Sequence, residues 1–268
     1  MADWNTARSV TLVAAANLHL AGHATGNYWP HANIFQVTDT VRFAGPPGRE
    51  DLNRAETDAG DPNVWFDKLR RIGARGVLLA DTWENPPSAA ARSTEALRRK
   101  PFAIVEVVDG ATDLWRESGE NPESGGVKGW SATYVRQTAG GAHRPSPPDM
   151  AGALRSMDAV LSALIPFTRR NGLTQFSPSF EQALTCLRDD QPLADNWYLK
   201  GYEYLLPDLN TQRLFAAATA AHVFGGMGSW NDSGAEREPD EFNRLTERLV
   251  ASLRNAAVAA ANSTFHWP

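Results

Sequence analysis

Residues able to do chemistry are densest between positions 17 and 31. His19, His23 and His31 fall there, half of the chain's six histidines, in the company of Asn17, Tyr28 and Trp29 and with Gly22 and Gly26 in between. Read as a helix over residues 12–22, the segment puts His19 and His23 one turn apart on one face, where both could hold one metal ion. His31 would complete a three-histidine set of the catalytic-zinc kind, which leaves a position for water. Two features oppose that reading. The glutamate of the zinc-protease pattern is missing, and the two glycines imply that the helix stops before His23. Without a metal, His19 or His23 is a candidate proton carrier near neutral pH. Ordinary structural histidines are the third reading.

Asp81 and Asp109 form a second group. Each follows a short apolar run that reads as a strand, Gly76–Ala80 and Phe102–Val108. In open α/β sheets, ligands gather at the carboxyl ends of strands. Two carboxylates there would divide acid and base roles, or hold Mg²⁺. Trp83, Glu84 and Asn85 share the loop after Asp81 and are candidate substrate contacts. The plain alternative is turn chemistry, with Asp109-Gly110 a common turn pair.

A third group is the loop from Phe224 to Gly234, which carries Gly225, Gly226 and Gly228 ahead of Ser229, Trp230, Asn231 and Asp232. The glycines fit neither the phosphate-loop order nor the dinucleotide order. The functional reading has Trp230 stacking on a ligand, with Asn231 and Asp232 as hydrogen-bond partners. The alternative is a helix cap and a linker. Ser229 lacks the nucleophile-elbow pattern of serine hydrolases. Cys186 sits on the apolar side of a helix and reads as an inert buried thiol.

These groups need elements to position them. The chain has 268 residues, one cysteine and a formal charge of -5. No internal disulfide is possible, and a reducing, cytoplasmic setting is expected. The first residues do not read as a secretory signal, and apolar stretches such as Val10–Ala16 are far shorter than the ~20 residues that cross a bilayer. No membrane partner is expected. Nor is a nucleic-acid partner, because basic residues come only in short groups such as Arg98-Arg99-Lys100. Nine tryptophans are spread along the chain, suited to cores or to binding surfaces.

The fold class expected is α/β, or α+β. An N-terminal layer over residues 1–140 holds a mixed sheet with parallel β-α-β units, and a helical half over 149–268 packs against it. Val10–Ala16 is ambiguous between strand and helix. Asn33–Thr38, Thr40–Ala44, Gly76–Ala80 and Phe102–Val108 read as strands, and Gly129–Val135 as an edge strand. Asp61 and Pro62 open a helix that Gly73 closes; Ser88 opens another through Lys100. The Gly/Pro-rich segment 140–148 is the connector. Beyond it, Asp149, Phe180, Asn210 and Pro239 mark helices, residues 195–206 suggest another, and Pro166 should kink or end the first. The connector's shortness implies one cooperative unit.

The function expected is a small-molecule enzyme using acid/base chemistry, hydrolase- or lyase-like, in a cleft between the halves. The alternative is a protein-binding or regulatory module with a Trp-rich surface.

Overall fold

The computed structural model describes residues 4–25, 27–36, 38–45, 59–82, 102–108, 111–121, 130–138, 144–225 and 228–267. Among them are six α-helices and one five-stranded mixed sheet, so the α/β or α+β class holds. The elements are α1 (Trp4–Leu20), β1 (Thr38–Ala44), α2 (Pro62–Arg71), β2 (Gly76–Asp81), β3 (Phe102–Val108), β4 (Ala111–Asn121), β5 (Trp130–Thr138), α3 (Met150–Arg170), α4 (Ser177–Cys186), α5 (Leu209–Ala220) and α6 (Pro239–Asn262). The strand order is β1-β5-β4-β3-β2. β1 and β5 run parallel, and every other pair is antiparallel.

Pairing direction departs from the sequence reading. Gly76–Asp81 and Phe102–Val108 are antiparallel neighbours, not strands of a parallel unit. Their continuous apolar character has another cause, burial on both faces. Val77 and Leu79 enter the cluster beneath α1, while Leu78 packs with Phe265 on the opposite face. β5 lies between β1 and β4 rather than at an edge, and its Ala132 and Tyr134 face the same buried layer. The 88–100 helix lies outside the described residues.

Local chemistry fixes the helix ends. The Asp61 carboxylate accepts from the Val64 N–H at 3.0 Å, as expected for the α2 cap, and Gly73 takes φ +72° beyond its end. Asp149 caps α3 through the Gly152 N–H at 2.8 Å. α5 is capped by Asp208, whose carboxylate accepts from the Thr211 N–H at 3.0 Å, rather than by Asn210. α3 runs unbroken past Pro166 to Arg170. Pro166 and Ser162 are both exposed, so the carbonyl that loses its helical partner is the one water can reach. Asn33–Phe35 is a single 3-10 turn instead of a strand, and the only regular structure within 195–206 is another, Glu203–Leu205.

Two large apolar clusters organise the chain. The first joins α1, α2 and one sheet face. Within it Phe43 stacks on Trp65 at 4.1 Å and on Tyr134 at 5.2 Å. The second joins α3, α4 and one face of α6. α5 and α6 supply both: Phe215, Ala216, Ala257 and Ala260 to the first, Leu214, Ala217, Ala256 and Ala259 to the second. α3 is long and apolar enough to span a membrane by length and composition, but Met157, Val160, Leu161 and Leu164 are buried in the second cluster.

The free edge of β2 is closed by two asparagines. Asn17 of α1 accepts from the Val77 N–H at 2.8 Å and donates to the Val77 carbonyl at 3.0 Å. Asn262 of α6 treats Leu79 the same way, at 2.6 and 3.0 Å. Each amide imitates a neighbouring strand's backbone, so the outward-facing groups of Val77 and Leu79 are satisfied without another strand.

Candidate functional site

His19 occupies the last turn of α1. Its Nε2 lies 3.1 Å from Asp67 Oδ1 on α2, and its Nδ1 lies 3.2 Å from the Thr25 hydroxyl. A carboxylate can only accept, so Nε2 carries the proton and Nδ1 accepts from Thr25. The Arg70 guanidinium donates to the His19 backbone carbonyl, and the imidazole rests 5.7 Å from the Phe66 ring. Burial holds the imidazole pKa below its ordinary value and the Arg70 charge adds to this, while Asp67 opposes both. The neutral ring is favoured.

This hydroxyl–imidazole–carboxylate chain has the connectivity of a nucleophilic relay, but its exposure runs the other way. Asp67 is the open end, with its side chain 65% exposed, whereas Thr25 is 2% exposed. A nucleophile has to meet its substrate, and this hydroxyl faces the interior. The arrangement clasps the end of α1 to α2.

His23 and His31 do not join His19. The N–H of His23 bonds the Leu18 carbonyl and that of Gly22 bonds the His19 carbonyl, each at 3.0 Å, with Gly22 at φ +90°. This Schellman turn ends α1 and carries His23 off the face that holds His19. His23 and His31 are exposed. Among the described residues no three His, Cys, Asp or Glu side chains converge where a metal ion could sit, which removes the three-histidine set.

Asp81 ends β2 at the surface and pairs with Arg254 of α6. Asp109, Trp83, Glu84 and Asn85 lie outside the described residues. Trp230 is 0% exposed, so it is no ligand platform. Its ring stacks on Phe242 at 4.9 Å and meets Phe176 and Phe180 edge-on, and its Nε1 donates to Thr246 at 2.8 Å. Asn231 and Asp232 fold back on their own loop. Asn231 accepts from the Ser229 hydroxyl at 3.2 Å, and Asp232 from the Gly228 N–H at 2.9 Å. Cys186 is half-buried against both apolar clusters, and burial pushes its thiol pKa up.

Three features were missed. Asp67 and Arg70 sit one turn apart on α2, a spacing visible in the sequence but ignored beside the apolar stripe. Glu106 stands alone in an apolar strand and Arg8 stands within α1 just ahead of the apolar run Val10–Ala16; each is a lone charge where burial was expected, which is a usable signal. Arg8 pairs with Glu117 of β4 at 2.9 Å, the side chains 1% and 3% exposed. The third is the segment 193–206. Leu193, Leu199, Leu205 and Leu206 anchor it in the first cluster, while Trp197 and Tyr204 stand 40% and 44% exposed.

Side-chain hydrogen bonds hold that segment, whose one regular element is the 3-10 turn Glu203–Leu205. Asn196 accepts from the Tyr198 and Leu199 N–H groups and donates to Thr219 at 3.0 Å. Gln212 donates to the Leu206 carbonyl at 2.7 Å. It is also tied to the histidine-rich run and the turn that follows it: the Tyr202 hydroxyl donates to the Asn27 carbonyl at 2.7 Å, and Asn33 donates to the Trp197 carbonyl at 2.8 Å. The run therefore meets 193–206 through direct hydrogen bonds. A separate groove of about 310 Å³ lies between α3 and α4, lined by Ile165, Glu181, Leu184, Thr185, Arg188 and Asp189.

No protein-family model matches this chain, and no curated protein or solved structure is significantly similar to it.

Proposed function

We propose that this chain is a binding module that engages a protein partner through the aromatic surface of residues 193–206. One observation carries the reading: Trp197 and Tyr204 point outward from a segment whose four leucines are locked in the core. Aromatic side chains lose little entropy on contact and dominate interface energies. At 40% and 44% exposure, these rings are too open to enclose most of a small ligand, which concave sites do. Photo-crosslinking tests the reading. A photoreactive residue at position 204 should give one discrete adduct with a partner protein in cells, and one at exposed Asp240 should not. Identical adducts at both positions, or none at 204, would overturn it.

A second reading, acid/base chemistry on a small molecule, draws on the Thr25–His19–Asp67 chain. It requires a ligand to reach the imidazole in place of Asp67. Thermal stabilisation by a metabolite and metal panel, abolished by His19→Gln, is the result that reading predicts. No shift with any ligand would leave His19 as the clasp described above.

A further inference from the structure

Glu106 lies on β3, directly across from Asp113 on β4, and is 2% exposed. Trp115 of β4 donates its Nε1–H to Glu106 Oε2 at 2.9 Å. Arg136 of β5 pairs with Asp113, its side chain 28% exposed against 8% for the aspartate. Among the described residues, the other neighbours of Glu106 are uncharged or already paired. β2 places Val77 opposite it, α2 lays the neutral ring of Trp65 6.0 Å from Trp115, and the buried Arg8 of α1 pairs with Glu117 farther along β4.

We propose that Glu106 is a proton-binding site built into the sheet: its buried carboxyl lies across from the buried Asp113 carboxylate, and its proton spares the layer a second negative charge. Burial raises the Glu106 pKa first of all, and the Asp113 charge raises it further; the Trp115 hydrogen bond and Arg136 pull the other way without prevailing. A group whose pKa is higher folded than unfolded favours the folded chain at low pH. As pH rises through the ordinary carboxylate range the unfolded chain releases its proton while the folded chain holds it, and stability falls. The sheet thus loosens as its surroundings become less acidic.

Glu106→Gln supplies the comparison, since the amide keeps a carbonyl acceptor for Trp115. Its melting temperature should match the wild type near pH 4 and exceed it by a margin that grows toward pH 7. A margin independent of pH, or a wild type that gains on the variant as pH rises, would overturn the proposal. Carbon-13 titration of the wild-type Glu106 carboxyl reads the same property without a variant. Retention of the protonated chemical shift above the ordinary glutamate range is expected; ionisation within that range would contradict it.

Discussion

At the scale of single residues, burial and pairing set what each side chain contributes. His19 is held on both ring nitrogens, and burial keeps its pKa below the ordinary 6.5. The folded chain therefore resists protonation. Its contribution is complete above pH 6.5 and declines as pH falls toward the lower folded value, because the unfolded histidine takes up a proton first. Denaturant midpoints measured from pH 8 to 5 should show this decline, and His19→Gln should flatten it. Arg8 and Glu117 make a different test. Glu117→Ala leaves a buried guanidinium without its main counter-charge and should cost ~3–5 kcal/mol, whereas replacing the pair with Arg8→Met and Glu117→Leu should recover most of that loss. Chemical denaturation of the three proteins reads the difference. Trp230→Ala should also cost ~3–5 kcal/mol, the signature of a core ring rather than a ligand platform.

At the scale of elements, the two asparagines on β2 matter most. Asn17→Ala removes a donor and an acceptor together and exposes two backbone groups of an edge strand, at ~1–3 kcal/mol for each group left unmatched. Hydrogen exchange at the Val77 amide should rise sharply while the amides of β4 hold. Gly76→Ala strikes the same corner, since a Cβ there would lie 2.5 Å from Phe265 and 2.9 Å from Asn17 Oδ1. Helix caps and apolar stripes act over a few residues, so Asp61, Asp149 and Pro239 could be read directly from the sequence. Strand direction could not. It depends on which elements cover each face, and an apolar run is the same whether α1 and Phe265 enclose it or two crossover helices do. The candidate site was legible in part for the same reason. The histidine-rich run was visible as a cluster, but its contacts, Asp67 and the segment 193–206, come from distant parts of the chain. The outward turn of Trp197 is set by leucines that anchor its flanks.

At the scale of the whole molecule, α5 and α6 belong to both apolar clusters. Neither cluster can lose its packing without stripping a face from the other's helices, so unfolding should be a single transition with calorimetric and van't Hoff enthalpies in agreement. Two resolved transitions would mean the clusters are independent. The same rigid frame fixes the segment that displays Trp197 and Tyr204, and the proposed function depends on that display. Hydroxyl-radical footprinting is the direct measurement. In the purified chain both residues should oxidise readily while buried Trp230 does not, and in cell extract both should become protected with Trp230 unchanged. Equal oxidation of Trp197 and Tyr204 in the two settings would contradict the account.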